Sequence, residues 1–405
     1  MAAHESTGTT AGTTDQTAVE TTDVLVVGAG PTGLALAAAL LHQGVRTITV
    51  DRATEGANTS RAAVVHARTL EVLEGIDVTA RLLAEGVVVP TFTVRDGRRV
   101  VARLDFSDLP TPYPFTLMIP QHRTEQLLTE RLAELGGGVE RGWALVGLEL
   151  RPGPGARAFL RSTSGEERSV DARYVVGADG MHSAVREHAG IAFDGARYAQ
   201  SFVLADVRMD WPLADDEVQL FFSAQGLVVV APLPGGRHRV VATMDEAPES
   251  PSRADVQALL DARGPGNAAV TEVVWSSRFR VHHRVAAQYR RGPVFVAGDA
   301  AHVHSPAGGQ GMNTGIQDAL DLAGRLATAV RGGEGDAAAE AALAAYETSR
   351  RPVALEVVQL TDRATRAATL RSPGARAVRN ALIGMATRVP AVRRKVTTTI
   401  AELRA

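Results

Sequence analysis

Apolar positions along the first 197 residues fall into short runs separated by stretches with helical spacing. Asp23-Val24-Leu25-Val26-Val27 is an apolar run of the length a buried parallel strand needs. Pro31 to Gln43 is rich in Ala and Leu and stops at Gly44, which predicts a helix. Thr47-Ile48-Thr49-Val50 predicts a second strand. Ala67 to Glu74 predicts a helix with Leu70 and Leu73 on one face, and Arg123 to Leu135 another that closes on Gly136-Gly137-Gly138. Val87 to Val94 and Val100 to Leu104 read as a hairpin across Asp96-Gly97. Leu145 to Leu150 and Ala158 to Arg161 read as strands joined by a Pro/Gly turn, and Tyr174-Val175-Val176 as a further buried strand.

From about Tyr198 the rhythm changes to alternation. Phe202 to Val207, Val218 to Phe222, Leu227 to Val230, Val240 to Met244 and Val273 to Arg280 predict a mostly antiparallel sheet, with turns at Gly226 and Gly235-Gly236. One helical stretch, Arg253 to Ala262, interrupts it. Pro293 to Ala297 is again a buried strand, and from Gly309 onward the pattern is helical, with breaks at Gly332-Gly333 and Pro373-Gly374. The pattern therefore predicts an α/β (α+β) protein. A Rossmann-like domain (residues 23–197, returning at 286–330) carries an inserted sheet (198–285), and helices follow (331–405).

Composition narrows the function classes. A chain of 405 residues can bury a large core. A net charge of −2 and the absence of a basic stripe with interleaved aromatics argue against a nucleic-acid partner. There are no cysteines, so disulfides, thiolate metal sites and a thiol nucleophile are excluded. No apolar run reaches the roughly 18 residues of a membrane helix. Residues 1–22 are Thr-, Ser- and Ala-rich without a signal-peptide layout and are expected to be a disordered tail, which makes the cytoplasm the expected address.

The chemistry sits in three glycine-marked segments. Gly28-Ala29-Gly30-Pro31-Thr32-Gly33 follows the first strand and opens the first helix, the context a dinucleotide fingerprint requires. Gly28 makes the turn, Gly30 admits a pyrophosphate, Gly33 lets helix pack on strand, and the helix N-terminus offers N–H groups to the phosphates. Asp51, at the end of the second strand, stands where a carboxylate accepts ribose hydroxyls. Gly153-Pro154-Gly155 and Gly264-Pro265-Gly266 also fit the start of the pattern, but neither opens a helix after a strand, and both read as turns. The second segment is Gly177-Ala178-Asp179-Gly180. The third is Gly298-Asp299-Ala300-Ala301-His302, running into Pro306-Ala307-Gly308-Gly309-Gln310-Gly311-Met312-Asn313.

In order and spacing these segments resemble the FAD-dependent aromatic hydroxylases of the para-hydroxybenzoate hydroxylase type. The likeness runs from about Asp23 to Arg366 and extends to Ser60-Arg61-Ala62, Arg68-Thr69-Leu70-Glu71, Ile119-Pro120-Gln121 and His283-Arg284-Val285-Ala286. It is nearest to the subgroup acting on polyketides and phenols, in a short form without the C-terminal thioredoxin-like domain that many members carry. The resemblance implies that Gly28, Gly30, Pro31, Thr32 and Gly33 hold the pyrophosphate of FAD, Asp51 the adenosine ribose, and Arg52 and Leu145 the adenine surroundings. Arg61 would approach the flavin and Gln121 the ribityl chain. Asp179 and Gly180 would serve FAD and reduced nicotinamide, with Arg186 bracing them. Asp299 would meet ribityl hydroxyls, and Pro306 with Gly309, Gly311, Met312 and Asn313 would bring backbone and a helix N-terminus to the flavin.

The implied activity is hydroxylation of a small phenolic or polycyclic aromatic molecule. FAD is reduced by NADPH or NADH, which binds transiently because only one dinucleotide fingerprint exists, and molecular oxygen then yields a flavin hydroperoxide. Baeyer–Villiger oxidation or antibiotic-inactivating oxygenation on the same fold, and a non-catalytic flavin-binding role, are the alternatives. No catalytic base is assigned. His66, His302 and His304 are candidates by type, with a structural role expected for His302, and no metal site is expected. Phe202, Met209, Phe221, Phe222 and Val228 stay open between substrate wall and core. Arg393-Arg394-Lys395 reads as a solvated helix face.

Overall fold

The computed structural model describes residues 19–56, 62–151, 155–306, 308–332 and 335–403. Its first sheet is built on parallel pairs. Glu20–Val27 lies between Glu167–Gly177 and Thr47–Asp51, and Val294–Val296 adds to the far side of Glu167–Gly177. The strand centres are continuous apolar runs because both faces are covered. On one face packs the helix Pro31–His42, whose Gly33 to Leu40 are all buried. Trp143–Leu150 and Ala156–Ser162 extend this sheet antiparallel. The strand begins at Glu20, so residues 20–22, assigned above to the tail, are ordered. Thr22 is buried and its hydroxyl donates to the Arg46 carbonyl at 2.9 Å.

The second sheet has the strand order His302–Val303, Ala269–Ala286, Phe193–Asp210, Arg237–Met244, Gly226–Leu233, Glu217–Ser223, Thr91–Asp96, Arg99–Asp105. All pairs are antiparallel but one. Glu217–Ser223 runs parallel to Thr91–Asp96, with Val218 opposite Phe92 and Leu220 opposite Val94. The hairpin placed above in the first nucleotide-domain segment thus belongs to this sheet. Its apolar Phe92 and Leu104 find their partners more than a hundred residues away. The two 18-residue strands Phe193–Asp210 and Ala269–Ala286 pass without interruption from the nucleotide half into this sheet and tie the halves together.

The helices Ala67–Glu74, Gln121–Glu134 and Arg253–Arg263 stand where the pattern placed them, and Thr79–Glu85 is a short addition. Ser252 starts Arg253–Arg263 with a capping box completed by Asp255. After Gln310–Gly332 come Ala337–Ala368, Pro373–Ala386 and Pro390–Ile400. Pro373 and Pro390 each occupy the first turn, where a missing N–H costs nothing. No described helix is long and apolar enough to cross a membrane.

Candidate active site

The three glycine segments meet. The Gly28 N–H donates to the Val50 carbonyl and the Ala178 N–H to the Val27 carbonyl, both at 2.8 Å, so the first two segments leave adjacent strands side by side. Gly28 has φ +105°, and a Cβ there would lie 2.3 Å from the Ala178 oxygen. Gly298 has φ +59°, and its Cβ would meet the Thr32 hydroxyl at 2.4 Å. These two glycines fit the segments to each other. Gly30 differs, because a Cβ there would meet nothing within 4 Å, which leaves its backbone open on the ligand side.

Around this junction the side chains are held in place. Asp51 accepts the Ala29 N–H at 2.6 Å and the Ala53 N–H at 2.7 Å. Asp179 is held above the ordinary carboxylate range by burial, although it accepts the Ala184 and Val185 N–H groups at 2.7 and 3.2 Å. Arg186 donates to the Ala300 carbonyl at 2.9 Å and the Met181 carbonyl at 2.8 Å and lies 3.9 Å over Phe193, bracing the second segment against the third. Gln121 accepts the Ala62 N–H at 3.0 Å and donates to Glu125 at 2.9 Å.

A single cavity of about 1100 Å³ starts at this junction. Of the candidate cofactor residues, it is lined by Gly28, Gly30, Pro31, Thr32, Asp51, Arg52, Gln121, Leu145, Asp179, Gly180, Asp299, Pro306, Gly309, Gly311 and Met312, and of the candidate histidines by His304. Gly33 sits behind the wall as the helix-to-strand contact, and Arg186 behind it as the brace. Arg61 lies outside the described residues. Asn313 is not on the cavity wall, and its side chain is turned into the protein. It is fully buried, donates to the Val64 and Gly309 carbonyls at 2.9 and 2.8 Å and accepts the His66 N–H at 2.8 Å. It clamps the Gly308–Gly309 turn to the strand Val64–Val65.

The three candidate histidines are tied into the frame. His302 bonds Asp318 at 2.6 Å, and Asp318 also takes Arg350 at 2.7 Å. Burial opposes the Asp318 charge, but Arg350 and His302 outweigh it and hold the carboxyl below its ordinary range. His66 bonds the Gly308 carbonyl at 2.8 Å, and His304 the Ser305 carbonyl at 2.9 Å. Burial lowers both to about 4, so both rings are neutral near pH 7. The second ring nitrogen of each is buried and without a hydrogen bond. His66 stands behind the cavity wall, and His304 lines it with its second nitrogen turned inward.

The far half of the cavity is the inner face of the second sheet, selected by the two-residue period. Phe202 and Leu204, Leu220 and Phe222, Leu227 and Val229, and Val241 line it, and Phe202 stacks on Phe279 at 5.3 Å. Met209, Phe221 and Val228 belong to the opposite face, in a core closed by Val256, Leu259 and Leu260 of the helix Arg253–Arg263. Arg239 also reaches the cavity and grips Asp206, directly across the ladder, through two hydrogen bonds of 2.7 and 2.9 Å.

Sequence reasoning did not find Glu125, Trp143 or Arg239 as lining residues, nor the roof that the C-terminal helices provide. For Glu125 a signal existed, since it stands one helical turn after Gln121. Burial raises its carboxyl. The roof is Leu360, Thr361 and Ala364 with Lys395, Val396, Thr399 and Ile400. It is fastened by Gln310 donating to the Ile400 carbonyl at 3.0 Å and by Glu402 accepting from Gln317 and Thr314.

A Rossmann-like sheet, a three-segment dinucleotide cradle and an apolar sheet face opening from it define a two-part flavoprotein. The chain belongs to the FAD-binding domain family, which matches it over residues 21–361. The 6-methylpretetramide 4-monooxygenase of Streptomyces rimosus is 43% identical over 358 residues, 86% of this chain and 62% of that protein. The pentachlorophenol 4-monooxygenase of Sphingobium chlorophenolicum is 38% identical over 346 residues, 84% of this chain and 63% of that protein. The chain thus spans under two thirds of the length of these two relatives. The crystal structure of p-nitrophenol 4-monooxygenase from Pseudomonas putida DLL-E4 superposes with a TM-score of 0.85 at 28% identity, covering 95% of this chain and 99% of that one.

Proposed function

We propose that this protein is an FAD-dependent, NAD(P)H-using monooxygenase that hydroxylates a phenolic or polycyclic aromatic molecule. The observation that carries this is the continuity of the cavity. One space of about 1100 Å³ holds the dinucleotide cradle at one end and an apolar sheet face at the other. It exceeds the roughly 300–1,000 Å³ of an ordinary small-ligand pocket, as two molecules laid end to end require.

The residues fit FAD. Open backbone at Gly30 and the N-terminus of Pro31–His42 suit a pyrophosphate. Asp51 and Asp299 suit ribose and ribityl hydroxyls, and Gln121 and Leu145 flank the path between. At the junction of the two halves the helix Gln310–Gly332 begins, with Gly311 and Met312 on the cavity wall. Its free N–H groups and dipole favour negative charge at that edge of a bound ring. Bound FAD would supply the oxygen chemistry, with electrons from a reduced nicotinamide that binds transiently. The chain's own part is to fix the geometry, and through Phe202, Leu204, Phe222 and Val241 to keep water from the reacting face.

The test is the absorbance spectrum of purified protein, followed by stopped-flow reduction with NADPH and with NADH over a panel of phenols and hydroxyquinones. The expected result is a yellow protein whose reduction accelerates when an aromatic ligand is added, with product NMR distinguishing hydroxylation from ring insertion. A yellow protein that neither nucleotide reduces with any ligand overturns the monooxygenase reading in favour of a binding role.

A further inference from the structure

Charge in the cavity is distributed unevenly. Among the described residues its four lining carboxyl groups, Asp51, Glu125, Asp179 and Asp299, all stand in the dinucleotide half. On the sheet half no described lining residue is acidic. The charged groups there among the described residues are Arg239, matched by Asp206, and Lys395. Lys395 is the only lysine of the chain among 43 basic residues.

The helix Pro390–Ile400 sorts its basic run by direction. Arg393 and Arg394 turn to Asp108, the first 3.9 Å from its carboxylate and the second donating to its carbonyl at 3.3 Å. Lys395 lies on the other face with Val396, Thr399 and Ile400, the face over the cavity. Val396 and Ile400 pack into the cluster that contains Phe92 and Leu104, with Leu220 and Val229 beside them, so this face covers the sheet half. The Lys395 ammonium has no hydrogen bond or ion pair to any described residue, and its side chain is exposed at the rim. The solvated-face reading holds for exposure, since Arg394 and Lys395 are exposed and Arg393 partly so, but Lys395 also lines the mouth of the cavity.

We infer that Lys395 is a substrate-anchoring residue, and that the aromatic ligand of the sheet half carries an oxyanion, a phenolate or a carboxylate, directed at the rim. Three observations converge. A cation without a described partner lies over a wall whose described residues carry no unpaired carboxylate, the apolar faces on either side suit flat rings, and the second ring nitrogens of His66 and His304 are buried. A ligand that arrives ionised, its charge held by Lys395, needs no base from the protein. The inference rests on the monooxygenase reading for the role of the ligand, but not for its binding.

The experiment titrates FAD-loaded protein with alizarin, whose colour reports its ionisation, with anthraquinone-2-carboxylate, and with neutral anthraquinone as control. Wild type, Lys395→Met and Lys395→Arg are compared by flavin perturbation and by the bound-alizarin spectrum. An exposed charge contact predicts that Lys395→Met weakens binding of one or both anions about three- to tenfold, with a smaller salt dependence. Lys395→Arg restores most of it, and neutral anthraquinone binds all three alike. Alizarin weakened alone points to a phenolate ligand, and the carboxylate weakened alone to a carboxylate ligand. Equal affinity of wild type and Lys395→Met for both anions, equal loss for the neutral control, or no anion binding to wild type overturns the inference. If Lys395-dependent binding is seen but no ligand accelerates reduction by NADPH or NADH, the anchor stands and the monooxygenase reading falls.

Discussion

Two glycines of one short motif answer to different physics. Gly28 is needed by the protein itself, because φ +105° and an Ala178 oxygen 2.3 Å from any Cβ leave no room for a side chain. Gly30 is needed only by the ligand, since its surroundings are empty to 4 Å. Gly28→Ala should therefore destabilise even the apoprotein, by at least about 2 kcal/mol. Gly30→Ala should leave the apoprotein melting temperature close to wild type while weakening FAD binding tenfold or more. Thermal melts without FAD and fluorescence titration with FAD separate the two. Equal apoprotein melting temperatures for the two variants would sink this division of labour. The same contrast applies to Asn313, whose motif position suggests ligand contact while its hydrogen bonds are spent inside the protein.

Elements are held around the cavity by a few buried polar knots. Asp318, on the helix Gln310–Gly332, joins His302 of the second sheet to Arg350 of the helix Ala337–Ala368, with all three side chains largely or fully buried. Removing the carboxylate leaves two buried donors without their partner, so Asp318→Ala should cost about 3–5 kcal/mol. A urea midpoint within error of wild type would contradict this. Such knots show why parts of the molecule were legible in the sequence and parts were not. The strand, turn and helix around Gly28 are set by neighbours in the chain, and the pattern predicts them almost to the residue. The hairpin Thr91–Asp96 and Arg99–Asp105 is equally local, yet its sheet is chosen by Val218 and Leu220, which no local pattern reveals. For Phe202 against Val203, alternation separates two faces but cannot say which one meets a ligand. Lys395 reads as solvent-facing and is exposed, but only the packing of Val396 and Ile400 places it over the cavity.

At the scale of the whole molecule, acid is the condition to which this fold is built to be sensitive. His66 is buried and held at about 4 in the folded chain against an ordinary value of 6.5, and His304 likewise. As pH falls below 6.5 the unfolded chain takes up these protons while the folded chain does not. The stability is thus fully present above about pH 6.5 and is lost progressively down to about pH 4. At pH 5 each ring should cost about 2 kcal/mol relative to pH 7.5. Urea unfolding at the two pH values measures the slope, and His66→Gln should flatten it. A slope unchanged in that variant would mean that His66 is not the sensor.

The contact of Gly28 with Ala178, and of Gly298 with Thr32, has a consequence for how the protein acquires its cofactor. Segments about 150 and 270 positions apart along the chain complete one another's surfaces, so a fragment lacking any one of them should bind FAD weakly. Nucleotide capture then has to follow long-range assembly. During synthesis FAD should then act as a late selector, drawing the population toward chains whose distant parts have already docked.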